Sequence, residues 1–82
     1  MLRVFTDFNA MTQDGICWNL QYPGEDLETQ ASELRLAIGD VVILYQDDDD
    51  FELSAMLDFK YVSMIARETW IAVPDWSTMV RK

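Results

Sequence analysis

From Phe51 to Lys60 the chain alternates without a break. Phe51, Leu53, Ala55, Leu57 and Phe59 fall on one side, and Glu52, Ser54, Met56, Asp58 and Lys60 on the other. Successive side chains of a β-strand point to opposite faces, so a period of two over this length predicts a half-buried strand. Just before it, Val41–Gln46 is β-branched and apolar on both faces, the pattern of a strand buried on both sides. Four aspartates, Asp47, Asp48, Asp49 and Asp50, stand between the two runs. Aspartate is a good turn residue, and a charged tip also discourages edge-to-edge pairing. Together these features predict an antiparallel hairpin, 41–46 with 51–59.

The rest of the chain reads as further short strands. Leu2–Phe8 alternates, with Leu2, Val4, Thr6 and Phe8 on one side. The segment NAMTQDG follows, in which Asn9, Asp14 and Gly15 favour a turn. GICWNLQY alternates again and predicts Ile16, Trp18, Leu20 and Tyr22 inward, with Cys17, Asn19 and Gln21 outward. Pro23 and Gly24 end that strand. Leu27, Ala31, Leu34 and Ile38 have a helical rhythm, and Asp26 is placed to cap a short helix over Leu27–Leu34 with Glu28 in its first turn. A loop running into a short strand, Glu33–Ala37, fits 26–37 equally. Residues 60–67 read either as a bent continuation of the preceding strand or as a short helical turn. ETWIAV is a strand that Pro74 is expected to end, and PDWSTM is expected to form one helical turn with Pro74 at its start.

Five strands, or six, with one short helical segment predict a single mainly β domain over residues 1–82, built as a small antiparallel barrel or curled sheet. The segment Leu36-Ala37-Ile38-Gly39-Asp40-Val41-Val42-Ile43-Leu44 resembles the L-x-x-G-D-x-V-x-L entry to a strand in small SH3-like barrels. Its logic is local: the glycine permits an unusual φ, the aspartate holds the turn, and the strand then alternates. The resemblance implies an SH3-like fold and carries no activity with it. No aromatic residue matches the peptide groove of that family.

The residue inventory removes several kinds of chemistry. Histidine is absent and there is one cysteine, so Ser-His and Cys-His nucleophile pairs and most zinc sites are excluded. Cys17 reads as a small buried or half-buried hydrophobe. The three glycines, Gly15, Gly24 and Gly39, stand apart, so there is no phosphate-cradling loop. If an EF-hand loop began at Asp47, Asp49 and Asp58 would fit its third and twelfth positions. Phe51 and Glu52 would then fall at the fifth and sixth, where an oxygen ligand and a glycine are needed. The expectation is therefore no enzyme, no cofactor and no specific metal. A lone cysteine and the absence of an apolar leader near the start suit a reducing cytoplasm, and no apolar run is long enough to span a bilayer.

What remains is charge. The formal net charge is −9. Between Val4 and Phe59 there are thirteen acids and one base, Arg35; from Lys60 to Lys82 there are four bases and two acids. Such a field repels nucleic acid and anionic membranes and steers a basic partner. Three tryptophans in 82 residues add candidate aromatic anchors. The expected partner-binding residues are Asp47, Asp48, Asp49, Asp50, Glu52, Trp70 and Trp76, facing a basic protein as an immunity- or inhibitor-type protein would. The competing expectation is a structural or homodimeric domain whose acidity only serves solubility, with Val41–Tyr45 and Trp70–Val73 pairing across the dimer.

Overall fold

A computed structural model describes residues 2–47 and 50–81. Five strands and one helix follow in the order β1 (Arg3–Thr6), β2 (Leu20–Gln21), α1 (Leu27–Leu34), β3 (Val41–Tyr45), β4 (Phe51–Val62) and β5 (Arg67–Arg81). They form one sheet with strand order β2-β1-β3-β4-β5. The domain is mainly β, as its alternation predicts. The sheet is mixed and not antiparallel throughout, because β1 pairs parallel to β3, with Val4 opposite Leu44. Parallel neighbours need a long crossover, and here β2 and α1 lie in that connection. Strand-by-strand alternation carries no information on neighbour order.

The predicted β3–β4 hairpin forms, in the register Val42↔Ala55 and Leu44↔Leu53. Its inward residues, Val42, Leu44, Leu53, Ala55 and Leu57, are all buried. With Val4, Cys17, Leu20, Leu27 and Ala72 they make the core. The expectation that β3 is buried on both faces fails: Val41 is exposed and Ile43 and Tyr45 are only half-buried. Val41, Met56 and Val73 stay exposed on that side, so they rely on their cross-strand neighbours.

The segment before β2 departs from its predicted pattern. Only Leu20–Gln21 is a strand, paired to β1. Cys17, expected outward, is completely buried, and Trp18 is half-buried. Cys17 makes its own antiparallel bridge to Ala72 of β5, with N–H···O bonds of 2.9 and 2.8 Å. The segment thus changes partner between residues 17 and 20, and one alternation cannot run through both. This bridge also shows how far the sheet curls. It links the β2 side to the β5 edge at one point, and the sheet is not closed into a barrel.

Of the two readings of 26–37 the helix forms, as α1 over Leu27–Leu34, and it buries Leu27. Asp26 holds the N-cap position, but its side chain makes no capping bond; its backbone carbonyl instead accepts from the Thr29 N–H (3.1 Å) and Oγ1 (2.7 Å). At the other end Arg35 adopts the left-handed conformation (φ 53°, ψ 45°). The Leu36 N–H reaches the Ala31 carbonyl and the Arg35 N–H the Ser32 carbonyl, which is a Schellman ending. Glycine is favoured at that position, and a side chain there costs about 1 kcal/mol. Arg35→Gly is therefore expected to raise the thermal midpoint by a few degrees, roughly 4–8 °C per kcal/mol at this size. A lowered midpoint in a melting curve would show that the Arg35 side chain contributes more than the strain removes.

Pro74 does not end the last strand. β5 runs through it, with Pro74 opposite Ala55. Proline is tolerated there because β5 is the last strand in the sheet. The turn chemistry expected of PDWSTM appears as a bulge. The register passes from Ser54↔Asp75 to Glu52↔Val80, so Leu53 alone faces residues 76–79. Asp75 Oδ1 accepts from Ser77 N (3.1 Å) and Oγ (2.6 Å). Thr78 Oγ1 donates to the Asp75 carbonyl (2.6 Å) and accepts from Ser54 N (2.8 Å). Between β4 and β5 the strand reading holds to Val62, and a turn closes over 63–66. No helix among the described residues is long and apolar enough to cross a membrane.

Candidate acidic interface

Asp47, just beyond β3, and Asp50, just before β4, stand at one end of the sheet. Asp47 and Asp50 are exposed; Asp48 and Asp49 lie outside the described residues. At the base of the tip, Gln46 Oε1 accepts from the Phe8 backbone N–H at 2.7 Å, which ties the β3 exit to the β1 exit. Phe8, Phe51 and Trp76 cluster beside it, with centroids 5.3 Å (Phe8–Phe51), 5.7 Å (Phe8–Trp76) and 6.1 Å (Phe51–Trp76) apart. Tilted ring pairs at such distances gain attraction beyond area burial. Trp76, carried by the β5 bulge, therefore sits at the acidic end.

Trp70 does not. It packs edge-on against Phe59 at 5.7 Å and covers part of the core. Phe59, its cross-strand partner, is eight positions along β4 from Phe51, about 26 Å for an extended strand. The predicted set thus splits: Asp47, Asp50, Glu52 and Trp76 share one end, and Trp70 belongs to the other. The homodimer face expected over Trp70–Val73 is also largely unavailable, since Ile71 and Ala72 are completely buried.

Two of the predicted acids are already engaged. Arg81 pairs with Asp50 at 3.1 Å, with both side chains about 70% exposed (70% and 72%). Arg3 pairs with Glu52 at 2.8 Å and lies 5.0 Å from the centre of the Tyr45 ring. Lys60 pairs with Asp58 at 3.5 Å, and Arg67 pairs with Glu28. Exposed pairs of this kind contribute little to stability. Their consequence is electrostatic, because they occupy the chain's own cations.

A groove that sequence reasoning missed opens beside the tip. It is lined by Phe5, Asp7, Asn9, Asn19, Gln46 and Asp47. Asp7 follows β1 and Asp47 lies just beyond β3; the parallel pairing of those two strands brings their C-terminal ends together. The only signal in the sequence is that each acid stands at the C-terminal end of a predicted strand, Leu2–Phe8 and Val41–Gln46. The groove offers two carboxylates, three side-chain amides and one ring, which suits an ammonium or guanidinium group.

Among the described residues no three His, Cys, Asp or Glu side chains converge as metal ligands. Burial pushes the Cys17 thiol up to about 11, and the neighbouring Thr6 hydroxyl acts in the opposite direction. A thiol held protonated and out of solvent is chemically inert at neutral pH.

The class defined by these features is a small β-rich domain with an open mixed sheet and an acidic hairpin end. Comparison with protein-family models, curated proteins and solved structures finds no match.

Proposed function

We propose that this chain is a non-catalytic binding protein that docks a positively charged protein against its acidic hairpin end, as an immunity- or inhibitor-type protein would. The observation that carries this reading is the fate of the cations. Among the described residues Arg3, Lys60, Arg67 and Arg81 are each in an ion pair with one of the chain's own acids, and Arg35 is the one cation outside such a pair. The formal charge of −9 is therefore an excess of carboxylates with few internal partners. Asp7 and Asp47 share a groove beside the tip, and Trp76 supplies an aromatic anchor next to it. The SH3-like reading of Leu36–Leu44 belongs with this proposal. It is supported by the Gly39 turn (φ 95°) and by Asp40 Oδ2 accepting the Ala37 N–H at 2.9 Å.

The test is retention of purified basic proteins on the immobilised chain across a salt series, with acidic proteins of similar size as controls. Steered association predicts an on-rate that falls about 10- to 100-fold from low to physiological ionic strength. Replacing Asp7 and Asp47 together with asparagine is expected to flatten that salt dependence. Failure to retain any basic protein at low salt overturns the proposal and leaves acidity as a solubility device.

A further inference from the structure

The outward face of β3, β4 and β5 carries an apolar row that packing leaves uncovered. Val41, Met56 and Val73 are direct cross-strand partners, Val41↔Met56 and Met56↔Val73. They are 49%, 48% and 38% exposed. At strand spacings of about 4.8 Å the three side chains form a continuous strip roughly 10 Å across. The strip floors a groove of about 360 Å³ whose wall is Pro74, Asp75 and Trp76. Trp76 is 47% exposed there, although it also belongs to the aromatic cluster at the acidic end. The groove is thus continuous with the acidic end through that one indole.

Two features select the occupant. The groove's charged lining residue is Asp75, no cation lines it, and the exposed Asp40 adjoins Val41. A second copy of this chain would bring a charge of −9 to the same face and meet repulsion. The neighbouring edge of β5 is also a poor template for strand addition. Pro74 has no N–H, and the bulge at 76–79 turns the Ser77 N–H onto Asp75. Recognition must therefore come through side chains on the face.

We propose that this groove binds a segment of the partner protein in which apolar side chains alternate with Lys or Arg. The apolar groups lie on Val41, Met56 and Val73 against Trp76, and the cations reach Asp75 and Asp40. The inference rests on the reading that the partner is basic, and it adds what that reading lacks, an apolar anchor.

Three labelled peptides separate the two ideas by fluorescence anisotropy at low salt: alternating Lys-Leu, alternating Lys-Ser and alternating Glu-Leu. The Lys-Leu peptide is expected to bind about tenfold more tightly than Lys-Ser, the gain from one well-buried apolar side chain. Met56→Ser and Val73→Ser should each remove most of that preference while leaving Lys-Ser binding unchanged. Asp75→Asn should weaken Lys-Leu binding. Melting curves confirm that these half-exposed substitutions leave the fold intact. Equal binding of Lys-Leu and Lys-Ser overturns the groove and leaves the basic-partner reading standing. No binding of either overturns both. Equal binding of Glu-Leu overturns the charge selection. A dimer in sedimentation that Met56→Ser dissolves assigns the groove to a second copy and also overturns the inference.

Discussion

Leu57→Ala is expected to destabilise the domain by about 2–5 kcal/mol, whereas Met56→Ala, one residue earlier on the same strand, changes stability by about 0.5 kcal/mol or less. Leu57 is completely buried in the middle of β4, opposite Ala72, and its backbone N–H and C=O bond the Asp40 carbonyl and the Gly39 N–H. Truncating it leaves a cavity between β3 and β5 that these short strands cannot collapse to fill. A domain of this size has a total stability of roughly 4–12 kcal/mol, so the substitution removes a large share of it. The thermal midpoint should drop by roughly 8–40 °C, at about 4–8 °C per kcal/mol. Met56 points outward and is half-exposed, so it has little packing to lose. Urea titration of the two variants reads the difference directly. A larger loss from Met56→Ala would show that the inward and outward faces of β4 are reversed.

The second large effect is a pH dependence set by Cys17. Its thiol has a pKa near 11 in the folded chain, against an ordinary value of 9.0, mainly because burial disfavours the thiolate. The unfolded chain therefore releases this proton first as pH rises. Stability from this group is fully present below about pH 9, declines between about pH 9 and about pH 11, and is flat above that. Two pKa units correspond to about 2–3 kcal/mol over the window. Tyrosines and lysines titrate in the same range, so the comparison must be with Cys17→Ala, which should be less stable at neutral pH yet lose less on alkalinisation. Equal slopes for the two proteins would show that Cys17 is open to water in the folded state.

Cys17 also marks where the sequence stops being legible. Its neighbours alternate correctly for a strand, but the segment serves two partners, β5 at residue 17 and β1 at residues 20 and 21, and the pattern slips between them. Where one partner or one face decides, the reading is accurate. The β4 alternation and the β3–β4 hairpin follow from local periodicity, whereas 26–37 fits a helix and a loop equally and packing decides for α1. Pro74 misleads for a physical reason: proline stops a central strand, but β5 is an edge strand, and edge status belongs to the tertiary fold. The candidate site divides the same way. Asp47, Asp50 and Glu52 are neighbours in sequence and stay together. Trp76 joins them only because β5 folds back along β4, and Trp70 does not because it lies further from that end on the same strand. The Asp7–Asp47 groove depends on the parallel pairing, which no local signal encodes.

That parallel pairing bears on how the chain assembles. β3, β4 and β5 follow one another closely in sequence, so their pairing fixes little intervening chain. Val4 meets Leu44 across 40 positions of sequence (44 minus 4). Loop-closure entropy grows with the logarithm of length, so joining β1 to β3 costs about 2 kcal/mol more than closing the five-residue connection after Tyr45. The first strand of the sequence is the most expensive to place, although it sits inside the sheet. The three-stranded meander can form as a local unit; β1, the two-residue β2 and the Cys17 bridge complete it by long-range contacts. The acidic groove is built on that long-range half, so its shape depends on contacts between residues far apart in sequence.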